Sequence, residues 1–226
     1  MKRINLLKWP GFLLVALSLA AMPLSGQAED KPQDIVDGAV TTLNNFVADP
    51  NMTWFQKHIK DARGIFIVPS LVKAGFIVGG SGGSGVLLAK VPDIPKWSYP
   101  AFCTMGSGTF GLQAGVEKAE VVLLIMTDKG MHAMLSNKFQ LGADASVAAG
   151  PVGAGAQVAT ADILQFSRSK GVFGGLTVEG AVIAPRNEWN QAFYSKEVLP
   201  ADILLKHQVQ SAAADPLRKA VAGAAR

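Results

Sequence analysis

Apolar positions recur at helical spacing near the start of the chain. Val36, Val40, Leu43 and Val47 follow one another at intervals of four, three and four, which predicts a helix over 33–48. Asp49 and Pro50 end it and suit the cap and first-turn proline of a second helix over 50–62. There Met52, Phe55, Ile59 and Ala62 form an apolar stripe, with Trp54 and His58 beside it and Lys57 and Lys60 off it. The pattern then shifts to short apolar runs separated by turn residues. These predict strands over 64–69, 73–78, 85–90, 97–105 and 108–116, and at 141–149, 156–167 and 172–184. The run 121–127 lacks polar alternation and reads as a central strand covered on both faces. A short helix is expected within 128–139, with Met131, Met134 and Leu135 on one side. Helices return at 188–196, at 201–208 and after Asp215 and Pro216.

Twenty of the 24 glycines lie between Gly64 and Gly180. Glycine weakens a strand unless backbones must approach closely or bend sharply. Valine, isoleucine, leucine and phenylalanine interleave with these glycines, so the segment reads as a closely wound sheet. Only GGSGGSG at 79–85 has the composition of a flexible turn. The expected fold is α+β: a curved, glycine-rich, barrel-like antiparallel sheet flanked by N-terminal and C-terminal helices.

Lys2, Arg3 and Lys8 precede an apolar run from Trp9 to Ala21, and small residues follow up to Ala28. This predicts a signal peptide over 1–28, a single domain over 29–226 and a periplasmic or secreted protein, possible peripheral contact with a membrane included. The run is shorter than the ~20 residues that span a bilayer. The full chain carries 21 basic and 17 acidic side chains, net +4, and loses three basic residues with the leader, leaving net +1. That balance gives no basis for nucleic-acid binding. Cys103 is the only cysteine and follows Ala101 and Phe102, so burial is expected and no intrachain disulfide can form.

Chemical motifs are weak. Gly80, Gly82 and Gly85 match GxGxxG, and Gly79, Ser81 and Gly83 match GxSxG. Each motif needs a helix directly after it, and a strand ending in Pro92 follows instead. His58, His132 and His207 are scattered, and Glu117 and Glu120 are not placed together by the pattern. No catalytic residue, metal site or cofactor is assigned. The basic residues carry more interest. Lys57, Lys60, Arg63 and Lys73 surround the junction between the second helix and the first strands, and Arg168 and Lys170 form a second cluster. Cations beside an apolar helical face suit an anionic membrane surface.

An ordered series of motifs resembles the SYLF domain family, which includes endocytic and actin-patch adaptors and many secreted bacterial proteins. The motifs are Ala62-Arg63-Gly64-Ile65-Phe66-Ile67-Val68-Pro69, Lys73-Ala74-Gly75-Phe76, the glycine run, Trp97-Ser98 with Pro100, Phe110-Gly111 with Gln113 and Gly115, Leu141-Gly142-Ala143-Asp144-Ala145, Gly150-Pro151-Val152-Gly153, Ser167-Arg168-Ser169-Lys170-Gly171 and Glu179-Gly180. Ala119-Glu120 stands where the family pattern has Thr-Asp, and Phe166 where it has tyrosine. The resemblance implies a secreted bacterial member that binds rather than catalyses. The expected function is a non-enzymatic module for anionic phospholipid or a membrane surface in the cell envelope. Lys57, Lys60, Arg63, Lys73, Arg168 and Lys170 are the expected headgroup contacts, and Trp54 and Phe55 the inserting side chains. The alternative is a structural or protein-interaction domain with an envelope protein partner, resembling actin-binding members by family only.

Overall fold

The computed structural model describes residues 31–75, 78–92, 96–110, 115–150, 161–169 and 178–226. Lys31–Arg226 forms one compact unit, and the expected leader 1–28 lies outside the described residues. No described helix is long and apolar enough to cross a membrane.

Pro32 opens helix α1 (Pro32–Ala48), as its fixed φ allows at a first turn. The buried face of α1 is Ile35, Val36, Ala39, Leu43 and Phe46. It is rotated from the expected stripe: Val47 is 42% exposed, and Phe46 takes the core position. Gly38 sets this phase, because a Cβ there would lie 3.0 Å from Pro69. The Asp49 carboxylate accepts the Asn51 N–H at 2.9 Å, so the cap and proline fall where expected. The following helix is broken into a 3-10 turn (Pro50–Met52), α2 (Thr53–His58) and a second 3-10 turn (Ile59–Asp61). Met52, Phe55, Ile59 and Ala62 are all buried, so the stripe is docked.

Among the described residues eight strands follow: β1 (Gly64–Gly75), β2 (Val78–Ala89), β3 (Ala101–Phe110), β4 (Gly115–Ile125), β5 (Phe139–Gln140), β6 (Val147–Ala149), β7 (Ile163–Ser169) and β8 (Val182–Pro185). They form one curved, half-barrel-like sheet in the order β5-β8-β3-β2-β1-β4-β7-β6. Pairing is antiparallel except between β6 and β7. Helices α3 (Asp128–Met134), α4 (Asn187–Tyr194), α5 (Pro200–Leu204) and α6 (Asp215–Ala224) complete the fold.

Both faces of the central strands are sealed over 64–68, 85–89 and 121–125, while their other halves are mostly half-buried or exposed. On one side Ile65, Ile67, Val122, Leu124 and Phe166 pack with α1, α2, α4 and α6 through Leu43, Phe55, Trp189 and Leu217. On the other, Phe66, Val68, Val121, Leu123 and Ile163 pack with Met131, Met134, Ile203 and Leu204. Such strands need continuous apolar runs, which is why β4 shows no alternation.

The expected strands 64–69 and 73–78 meet in one long strand, β1. β1 runs through Pro69 and Ser70 by taking one extra residue there against both neighbours: Ile67 pairs with Val86 and Val72 with Gly82, while Val68 pairs with Val121 and Leu71 with Ala119. This is a β-bulge, a natural place for a proline inside a sheet. The run 79–85, expected as a flexible turn, is the first half of β2. Its glycines answer the bulge. A Cβ on Gly83 would stand 2.5 Å from the Ser70 carbonyl oxygen, and one on Gly85 would overlap the Ile67 carbonyl.

Gly83→Ala and Gly85→Ala should therefore each destabilise the fold by about 1–3 kcal/mol, as overpacking does. Gly82→Ala, which meets nothing within 4 Å, should shift stability by no more than about 0.5 kcal/mol beyond its propensity effect. Urea midpoints of the three variants would check this, and equal midpoints would refute the steric account.

Candidate interaction surface

The ends of β1, β2 and β4 are pinned around Arg63. Its N–H donates to the Ile125 carbonyl at 2.8 Å, and its own carbonyl accepts from Lys90 N–H at 2.8 Å. The Arg63 guanidinium reaches the Asp128 carboxylate at 3.0 Å, and both side chains are largely exposed. The Lys90 ammonium donates to the Lys60 carbonyl at 2.7 Å. Lys60, Arg63 and Lys90 thus collect at one end of the sheet. Lys90 was not singled out from sequence, because only the Lys60 backbone contact brings it there. Arg63 and Lys90 line a cavity of about 560 Å³ together with Met131, Leu204, Leu205 and His207.

The other expected contacts are placed elsewhere. Lys57 is exposed on α2, while Lys73 is half-buried in β1, opposite Glu117 and Ser81. The ten residues from Arg63 to Lys73 put them about 30 Å apart at ~3.3 Å per residue. Arg168 lies on β7 and is engaged by acids: its guanidinium reaches Glu120 at 3.1 Å and Asp49 at 3.5 Å. Glu120 also accepts from Thr42 Oγ1 at 3.2 Å and Asn45 Nδ2 at 2.8 Å on α1. This clasp ties α1 to β4 and β7, and the departure from the family pattern at Glu120 supplies its hub. Lys170 lies outside the described residues.

Phe55, expected to insert into a membrane, is instead a core side chain: it is fully buried, edge-on to Phe46 and Phe166. Trp54 is half-buried and stacks on His58 with centroids 3.7 Å apart.

The groups with catalytic letter patterns have structural partners. Ser81 lies mid-strand and shares a 2.8 Å hydroxyl hydrogen bond with Ser107. Strand, not helix, follows the glycines. His58 and His132 each contact the carbonyl four residues earlier, at 2.8 Å. Glu117 and Glu120 share β4 at a spacing of three, so they point to opposite faces. The Asp144 carboxylate accepts the Gln140 N–H at 2.6 Å and closes a turn. Cys103 is buried as expected, and burial pushes its thiol up to about 12.

Sequence reading missed one polar centre. Asp162 is buried and accepts from Thr127 Oγ1 at 2.7 Å, Ser146 Oγ at 2.9 Å, Ser146 N–H at 3.0 Å and Lys129 Nζ at 3.2 Å. Thr127 in turn caps α3 by accepting the Gly130 N–H at 3.0 Å. Only tertiary structure joins these positions, which span 35 residues in sequence.

The described residues thus form a curved antiparallel sheet flanked by helices, with Lys60, Arg63 and Lys90 at one end of its strands. A family model described as "Ysc84: Las17-binding protein actin regulator" matches residues 106–224, more than half of the chain. The chain belongs to this SYLF/Ysc84 family, a non-catalytic one. The human "SH3 domain-containing YSC84-like protein 1" is 32% identical over 165 residues, 70% of this chain and 48% of the relative. "Protein YSC84" and "LAS seventeen-binding protein 3" of Saccharomyces cerevisiae are each 34% identical over 167 residues, 70% of this chain and 35% and 36% of the relatives. The chain thus spans about half the length of the mammalian relative and about a third of the yeast ones. No solved structure matches.

These relatives correct the placement expected from sequence. They are eukaryotic, and their names concern SH3 domains and Las17 binding rather than an envelope. The reading as a secreted bacterial member with a signal segment and a periplasmic or secreted location is therefore set aside. It rested on the basic-apolar pattern of residues 1–28, which lie outside the described residues.

The Asp162 carboxylate is held below the usual carboxylate range, first by the Thr127 hydrogen bond and then by those of Ser146 and Lys129, against the opposing effect of burial. A depressed folded value means that its contribution is present above the unfolded value near ~3.9 and is lost as pH falls below it. Asp162→Asn should cost about 1–3 kcal/mol at pH 7. It should also flatten the loss of stability between pH 5 and pH 3, roughly the window where the unfolded carboxylate titrates. Urea unfolding of both proteins at each pH checks the sign.

Proposed function

We propose that this chain is a non-enzymatic protein-interaction domain of an actin-regulatory assembly, engaging its partner through the basic end of the sheet. The observation that carries the reading is the gathering of Lys60, Arg63 and Lys90 at that end, in a family described as a Las17-binding actin regulator. Support comes also from what the remaining surface is built of. The helices on both faces are committed to the core, and Arg168 is engaged with Asp49 and Glu120. An anionic membrane surface has less support, since it would need the six expected cations and the α2 aromatics on one side. Because the chain spans only part of its relatives, their names are carried over here as a proposal.

Co-sedimentation of the full chain with purified actin filaments tests the reading. Saturable pelleting that weakens with salt is expected, since exposed charges are screened beyond ~8–10 Å at physiological ionic strength. Replacing Lys60, Arg63 and Lys90 together by Glu should lower the affinity at least about tenfold, a change of ~1.4 kcal/mol. No pelleting, or pelleting indifferent to the triple variant, would contradict the proposal.

A further inference from the structure

We infer that the cavity beside Arg63 and Lys90 is the seat of an acidic peptide segment that carries an apolar side chain, contributed by the protein partner. The inference rests on the interaction-domain reading and adds the class of segment and its place. The cavity, at about 560 Å³, falls in the ~300–1,000 Å³ range of sites that enclose a ligand group. Its lining divides by chemistry. Met131 and Leu204 are buried core side chains that present an apolar floor. Leu205 lines the same cavity and is 51% exposed, so an incoming apolar group would cover it.

The rim is basic and held in position. Lys90 is anchored by one N–H on the Lys60 carbonyl, and an ammonium has three donors. Arg63 is fixed by its backbone pairing to Ile125 and Lys90 and by the ion pair to Asp128. Among the described lining residues Asp128 is the single carboxylate, and it is already matched by Arg63. His207 lines the same cavity from a turn at φ 51°, secured by the Gln208 N–H on the Asp202 carbonyl at 3.0 Å. The net charge of the described lining is therefore positive, and it complements a carboxylate.

The combination selects the occupant. A free inorganic anion would satisfy the rim but leave the floor and Leu205 uncovered. A membrane surface is broad, whereas this site is concave and admits a protruding side chain. A peptide with an apolar residue next to Asp or Glu meets both halves of the lining, and pre-positioned donors reduce the ordering cost of binding it.

The test is fluorescence anisotropy of the full chain with a labelled ten-residue peptide, one central Leu flanked by Asp and Glu. Two control peptides replace Leu by Ser, or every acid by its amide. The parent peptide should bind saturably, and each control at least about tenfold more weakly. The double variant Arg63→Glu/Lys90→Glu and the single variant Leu205→Asp should each lose at least about tenfold in affinity, with circular dichroism unchanged. Lys73→Glu, at the far end of β1, should bind like the parent protein. Absence of saturable binding would overturn the inference. So would equal affinity for the amide peptide, indifference to the double variant, or phosphatidylserine vesicles using the same residues while the peptide does not bind. Filament co-sedimentation of the same proteins separates the two readings. Filament binding by the parent protein without peptide binding would remove the peptide site and leave the interaction domain standing.

Discussion

Burial on both faces of one half of β1, β2 and β4, over 64–68, 85–89 and 121–125, is the constraint from which the rest of the structure follows. A sheet covered on one face leaves the other for a ligand. Here helices from both ends of the chain close one face, and α3, α5 and the short strands close the other. Binding chemistry is left to strand ends and helix connections. The same demand sets the backbone detail. The bulge at Pro69 brings β1 against β2, and glycine is what permits the approach at Gly83 and Gly85. Gly38 does the same for α1 where it crosses Pro69.

Charge is used mainly to fasten elements together. Arg168, Glu120 and Asp49 form a tie from β7 through β4 to the end of α1. Asp162 ties the start of α3 to the segment entering β6. The Arg218 guanidinium lies 3.9 Å from the Tyr99 ring centroid and donates to the Trp97 carbonyl at 3.0 Å, which holds α6 against the loop before β3. Partly buried ion pairs of this kind give specificity of arrangement as much as stability. They also remove cations from the pool that could meet a partner.

Local physics was legible in the sequence, and tertiary chemistry was not. Pro50 and Pro216 marked helix starts because proline suits a first turn and little else in a helix. The unbroken apolar run of β4 announced two covered faces. The burial of Cys103 followed from its neighbours. The GGSGGSG run misled because composition reports flexibility in isolation, whereas its glycines answer a bulge on another strand. The strand β1 was split at Pro69 because the bulge that carries the proline is visible only in its pairing. The α1 stripe was read out of phase because Val47 and Phe46 are equally apolar, and only the crossing at Gly38 decides between them. At the site, Arg63 and Lys60 were visible as cations, but their separation from Lys73 and Arg168 depends on strand direction and face. Lys90 and Asp162 gain their roles only through contacts distant in sequence.

The central claim is that the stripe of α2 is a permanent part of the core and the sheet is closed on that face. Native-state amide hydrogen exchange tests it most directly. The account predicts that the Ile59 amide, which donates to the Phe55 carbonyl, exchanges through the same large opening as the central β1 and β4 amides. Exchange of α2 by a separate local opening, several kcal/mol cheaper than that of the strands, would show a helix free to lift away and would contradict it.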